Sequence, residues 1–403
     1  IVAFIRDYVK MRLFRDTELK IDPWLFFPAL ILISIGTTMV YSSSAIFALE
    51  KTGRASFFLT RHLSSLLVGA TAYLIVSHIA PEVFKRLVFP ILIVSFLSLI
   101  ALYIPGIGTK IDGATRWFRL GPLSVQPTEF CKLSLIIYLA YSLSKKRDQV
   151  RIFTVGFMPH LVVSGLMAAL IVKQPDLGSA AVLMSVTLIM LFVAGTRLSY
   201  LLLAILVAVP IAYQQIVGSP WRLKRLLAYL DPWGYRFGAG YQISESLISV
   251  GAGGLWGKGI GTGKQKLFYL PAAHNDFIFA TTAEELGLIG VSFVIMLYIM
   301  IIYRGVKISF RASSLFRSYL ALGLVVMIAV QTLLHMSVVF GMVPTKGIPL
   351  PFFSYGGSGL IVNMVSIAML QQVAHAPMAS AAVPAATRRN RQTIKHQVAA
   401  ARG

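Results

Sequence analysis

The stretch PAAHNDFIFATTAEELG, residues 271–287, sets three carboxylates among apolar neighbours in a 403-residue chain of which only 13% is charged. Asp276 follows His274 and Asn275 and runs directly into Phe277, Ile278 and Phe279, and Glu284 and Glu285 come next. A carboxylate at such a boundary can take a proton from a hydroxyl nucleophile, and it can equally cap the free amides of a starting helix. Helical geometry, about 1.5 Å of rise per residue, sets Glu284 about 12 Å deeper than Asp276 and turns Glu285 to the opposite face. Neither suits an acid–base couple with Asp276. Both are expected inside a helix bundle with cationic or hydroxyl partners, Lys132 and Arg116 being the candidates, because a lone charge at that depth is costly.

Other polar residues stand in similar surroundings. Glu129 and Lys132 in QPTEFCK are three residues apart, the spacing of an ion pair on one helical face. That pair lines a substrate cavity or holds the bundle together. Asp176 follows Pro175 at a helix start, where capping is natural. Arg116 and Trp117 in GATRW can meet a phosphate and a membrane interface. Ser354 lies in the tight turn PLPFFSYGGSG, which suits either an anion on its backbone amides or a structural hairpin. His274 can orient or tune its neighbour Asp276.

The segment 218–275 carries seven Lys or Arg against Asp231 and Glu245. That surplus of +5 suits an anionic ligand such as a lipid phosphate or pyrophosphate, with Lys258, Lys264 and Lys266 joining Arg116 as the cations. The glycines between Gly251 and Gly263 imitate a nucleotide loop, but Thr262 occupies the position where the Walker spacing requires glycine. The segment reads as a re-entrant or surface-lying loop with short helices, free to sample open and closed arrangements. The single Cys131 excludes an internal disulfide, and there is no Cys/His set for zinc. No cofactor is required, although Mg²⁺ can accompany a pyrophosphate.

These residues need a membrane scaffold. Hydrophobic residues make up 57% of the chain, more apolar surface than a water-soluble domain hides. Ten apolar runs are long enough to span, near 24–47, 57–80, 85–104, 127–144, 153–173, 177–195, 198–217, 276–303, 316–340 and 358–374. The predicted fold is an all-α polytopic membrane protein with a large extracytoplasmic loop, 218–275, before the eighth span. Lys85, Arg86, Lys145, Lys146, Arg147, Arg151, Arg197, Arg304, Lys307, Arg311 and Arg317 then share one side, which the positive-inside rule makes cytoplasmic together with both termini. Residues 1–23 read as an interfacial amphipathic segment, 24–374 as the membrane domain and 375–403 as a basic disordered tail. The net charge of +22 reflects these membrane-side cations, and no nucleic-acid partner is expected.

Four ordered stretches carry a family resemblance: GATRWFRLGPLSVQPTEFCKLS (113–134), KQPDLGSA (173–180), DPWGYRFGAGYQISESLISVGAGGLWGKGIGTGKQKLFYLPAAHNDFIFATTAEELG (231–287) and PTKGIPLPFFSYGGSGL (344–360). The chain resembles the SEDS family (shape, elongation, division and sporulation), and is closer to its division members than to its elongation members. It departs at Ala272, Asn275, Gly359 and the His335–Ser337 stretch. The resemblance implies a peptidoglycan glycosyltransferase that polymerises lipid II at the outer face of the bacterial cytoplasmic membrane, at the division septum. It implies Asp276 as the base, and a class B penicillin-binding protein and other division proteins as partners. A lipid II flippase and a noncatalytic division scaffold are the competing readings. The absence of a visible inverted repeat and the crowding of polar groups toward one face favour chemistry.

Overall fold

The computed structural model describes residues 21–111, 114–120, 123–263 and 274–375. The expected interfacial segment, the basic tail, and Lys264 and Lys266 lie almost wholly or wholly outside the described residues.

Helix α1 (Pro23–Thr52) starts where Asp22 accepts from the Trp24 amide and Pro23 occupies the first turn. It is followed by α2 (Phe57–Ser77), the short α3 (Pro81–Arg86) and α4 (Val88–Ala101). A small antiparallel meander comes next: β1 (Thr109–Ile111), β2 (Ala114–Leu120) and β3 (Leu123–Val125). Then follow α5 (Pro127–Lys145), α6 (Met158–Lys173), α7 (Leu177–Val193) and α8 (Leu198–Val217). The strongly amphipathic α9 (Pro220–Leu230) and the short α10 (Tyr241–Ala252) lead to α11 (Ile278–Arg311), α12 (Leu315–Val339) and α13 (Gly357–Ala374).

Each of the ten apolar runs is a helix. Seven are long and apolar enough to cross a membrane, and α4 and α7 are shorter apolar helices. The 19-residue α5 carries Glu129, Lys132 and Lys145, charges that a span accepts only inside a bundle. Two expectations change. The meander occupies what reads in sequence as plain loop, because strand pairing satisfies backbone groups that a loop crowded against the bundle would leave bare. The eighth span is not one straight helix: Gly287 breaks α11 with φ 65° and ψ −170°.

That break receives the glycine-rich stretch. The amides of Lys258 and Gly259 donate to the carbonyls of Glu284 and Glu285 at 3.0 Å each. Beyond the break, the amides of Leu288 and Ile289 donate to Gly254 and Leu255. A Cβ on Gly257, whose φ is +77°, would sit 2.3 Å from the Glu285 carbonyl oxygen, so only glycine fits this approach. The glycine-rich stretch, expected to move freely, is stitched to the helix on both sides of the break. The two glutamates are bundle residues as expected, with different partners. Lys258 Nζ donates to Glu284 at 2.8 Å, while Ser42 and the Gly261 amide serve Glu285. Lys132 instead pairs with Glu129, and Arg116 binds carbonyl oxygens.

The buried core runs through α1, α5, α7, α11, α12 and α13. At the end away from the meander, the Arg304 guanidinium donates twice to Asp22, at 2.8 and 2.6 Å, and Arg317 pairs with Glu82.

Candidate functional site

At the meander end, five helices begin around one cavity of about 420 Å³. Its wall takes Phe58, Arg61 and Ser65 from α2, Gln126 and Glu129 from α5, Asp176 and Ser179 from α7, Asn275 and Asp276 ahead of α11, and Gly356, Gly357 and Gly359 from α13. Alternate spans of an antiparallel bundle start at the same end, so their unsatisfied amides and positive dipole ends converge there. Arg116 and Trp117 of β2, His274, Gly347 and Tyr355 also line it.

Asp276 is held by its neighbours. Ser354 Oγ donates to the Asn275 carbonyl at 2.9 Å and accepts from the Leu350 amide at 2.8 Å. The Tyr355 amide donates to the His274 carbonyl. The Pro/Gly turn is therefore a brace against the turn that delivers Asp276, and the Ser354 hydroxyl is committed to that brace. The Asp276 carboxylate packs against Gly347, where an added Cβ would come within 3.0 Å of Oδ2.

His274 lies among aromatic rings, 4.6 Å from Phe58 and 5.7 Å from Tyr355 between centroids. Burial drives its pKa down to about 4, so the imidazole is neutral near pH 7 and adds no positive charge. Asp176 caps α7, accepting from the Ser179 amide and hydroxyl at 3.0 and 2.8 Å. The Glu129–Lys132 pair is closed at 2.7 Å with both side chains buried, and only Glu129 borders the cavity. Arg116 donates to the carbonyls of Gln174 and Pro175 at 2.9 and 2.6 Å, which fixes its guanidinium on the wall. Lys258 is turned to Glu284 and does not border the cavity.

A second cavity of about 160 Å³ adjoins the first, and the two share Arg116, Asp176 and Gly347. Its cations are Arg116, Arg222, Arg225 and Lys346. Burial lowers the Arg225 pKa, the Asp276 charge opposes that fall and Arg116 adds to it. Burial also lowers Lys346, with Asp176 opposing. Arg61, Arg225 and Lys346 were not singled out from sequence. Arg225 was legible only as one cation of a basic segment, and the other two only as loop or helix-end charges. Among the described residues, no three His, Cys, Asp or Glu side chains gather as a metal site.

A family model described as a cell cycle protein, FTSW_RODA_SPOVE, matches residues 23–378. The chain belongs to this family. Among family members similar to it is a probable peptidoglycan glycosyltransferase FtsW of Trichlorobacter lovleyi, 44% identical over 342 residues, 85% of this chain and 90% of the relative. The stage V sporulation protein E of Bacillus subtilis is 37% identical over 352 residues, 87% of this chain and 96% of the relative. Two solved chains share the FtsW/RodA architecture. One comes from work on the structural coordination of polymerization and crosslinking by a peptidoglycan synthase complex; it is 26% identical, with a TM-score of 0.72 over 89% of this chain and 98% of that one. The other, rod shape determining protein RodA of Thermus thermophilus, is 25% identical, with a TM-score of 0.65 over 88% of this chain and 96% of that one.

Proposed function

We infer that Asp276 is the general base of a glycosyl transfer between lipid-linked sugars. The chain is a peptidoglycan glycosyltransferase, the activity carried in the names of its relatives, and it is a multi-pass membrane protein. Its substrate is read as lipid II, and the cavity end of the bundle as the extracytoplasmic end, since the cation-rich connections belong to the opposite one. Both termini are then cytoplasmic, and the enzyme works at the division septum with a class B penicillin-binding protein and other division proteins.

The carrying observation is Asp276 on the wall of a cavity where five helix starts converge with Arg61 and Arg116. Asp276 takes the proton of the acceptor sugar hydroxyl as its oxygen bonds to the anomeric carbon. The bond from that carbon to the pyrophosphate oxygen breaks, and the electron pair leaves with the phosphate. Fixed cations and helix dipoles oppose the charge that develops. A carrier would need a site open to either end in turn, whereas the polar groups of this cavity gather at one end of the bundle, where the five helices begin.

The test is polymerisation of purified lipid II by the purified protein with its cognate partner. Asp276→Asn should lower the rate by about 10²–10⁴-fold, the usual range for a lost general base, without changing the melting temperature. Near-normal glycan formation by that variant would leave the scaffold and carrier readings in its place.

A further inference from the structure

The turn that braces Asp276 stands in a conformation that needs holding. Phe352 has φ 65°, in the left-handed region that a residue with a bulky side chain occupies only under strain. Phe352 and its neighbour Phe353 are both fully buried. The reversal at Phe352 lets the amides of Phe353 and Ser354 donate to the Leu350 carbonyl at 3.2 and 3.0 Å. It also directs Ser354 and Tyr355 to the carbonyls of Asn275 and His274. With Phe352 at an ordinary negative φ the chain would leave the turn in another direction, and both of those bonds would be lost. A strained residue persists only where its surroundings over-determine it.

Two groups outside the turn do so. Tyr298 comes from the part of α11 beyond the Gly287 break. It is 1% exposed, and its hydroxyl donates to the Pro351 carbonyl at 2.5 Å. That carbonyl belongs to the peptide plane joining Pro351 to Phe352, and φ of Phe352 is the rotation of its Cα relative to that plane. Anchoring the plane therefore restrains the strained angle. Gly36 of α1 supplies a second wall. A Cβ there would lie 2.7 Å from both the Cα and the carbonyl oxygen of Phe353, so the helix backbone bears directly on the turn.

We propose that Tyr298 is a positioning residue for the reaction. Through the Pro351 carbonyl it keeps Phe352 left-handed, and through Ser354 and Tyr355 the turn keeps the 274–275 backbone, and with it Asp276, in place on the cavity wall. Tyr298 does not border the cavity and touches no reacting atom. Helix α11 then places Asp276 twice, directly at its own start and indirectly from beyond its break. The role in catalysis rests on Asp276 as the base, whereas the tether itself is read without catalysis.

The full-length protein with its cognate partner is tested in lipid nanodiscs. Tyr298→Phe keeps the ring and removes the hydroxyl. The Ser354 and Tyr355 amides should then exchange faster with deuterium. The kcat for polymerisation should fall by roughly tenfold to 10²-fold, the scale of an ångström's misplacement, with the KM for lipid II unchanged. Added to Ser354→Ala, Tyr298→Phe should cost less than about twofold more, since the two act through one connection. Tyr73→Phe is the control. It removes another buried hydroxyl bond, 2.6 Å to Gln371, where α2 and α13 end away from the cavity, and it should lower the melting temperature while leaving kcat alone. Unchanged exchange in Tyr298→Phe, a full further loss on top of Ser354→Ala, or an equal fall of kcat in Tyr73→Phe overturns the proposal. Faster exchange with kcat unchanged also overturns it, since the tether then does not set the rate. Asp276→Asn, run alongside, separates the two failures. A near-normal rate there removes the base reading, whereas a lost rate there beside an unaffected Tyr298→Phe removes only the positioning role.

Discussion

Asp276 takes its position from bonds its neighbours make. Asn275 and His274 are tied by their carbonyls to Ser354 and Tyr355, and Gly347 presses on the carboxylate from behind. Gly347→Ala adds a methyl within 3.0 Å of Oδ2 at ordinary backbone angles, so the carboxylate must move. A shift of a fraction of an ångström to one ångström should cut kcat by roughly tens-fold up to 10²-fold; an unchanged kcat would show that Asp276 tolerates the displacement. His274 makes a different prediction. Its folded pKa is depressed from 6.5 to about 4 by burial, so the fold prefers neutral imidazole. Its contribution to stability is complete above the unfolded value and is lost as pH falls from about 6.5 toward about 4. His274→Phe should therefore lose less melting temperature than wild type over that interval, and parallel melting curves would exclude the effect. Asp276, Glu129 and Asp176 stood out in the sequence because carboxylates are costly in apolar context, and all three line the one cavity. Arg61 and Lys346 were not legible, because each looks like an ordinary rim cation until the fold sets it on a cavity wall.

At the scale of elements, the ten helical runs followed from hydropathy and length. The meander did not, because a short sheet over a membrane bundle is set by tertiary contact rather than by local pattern. The break in α11 was also hidden, since one Gly inside a long apolar run does not announce a left-handed residue. Yet the break governs where Glu284 and Glu285 point, and it converts a loop expected to move into one held from both sides. In Gly287→Ala, a Cβ would lie 2.2 Å from the Gly257 amide nitrogen at φ +65°. The backbone strain alone is about 1–3 kcal/mol, so a clear fall in melting temperature should follow, whereas Gly251→Ala meets nothing within 4 Å and should be near neutral. Hydrogen exchange gives the independent check. The amides of Lys258, Gly259, Leu288 and Ile289 should exchange as slowly as helix interiors in the isolated protein, and rapid exchange there would restore the open-and-closed loop.

Across the whole molecule, function and anchorage occupy opposite ends. The site gathers the starts of five helices, and the far end closes α1 against α11 through Asp22 and Arg304. Asp22 is 3% exposed and the Arg304 side chain 28% exposed, so this is a mostly buried pair, and removing one partner strands a charge. Stranding a fully buried charge costs about 3–5 kcal/mol, and water at Arg304 should reduce this toward 1–3 kcal/mol by screening. Arg304→Ala should accordingly lower the melting temperature. Asp22→Asn added to it should restore part of the loss, because it removes the stranded charge while its side-chain oxygen can still cap α1. Asp276 precedes the start of α11 and Arg304 lies near its other end, beyond the break at Gly287. The KM for lipid II should therefore stay at the wild-type value in both variants at temperatures where they remain folded. A raised KM in the folded single variant, recovered by the double, would mean instead that the latch transmits to the site, and that the two ends work as one coupled unit.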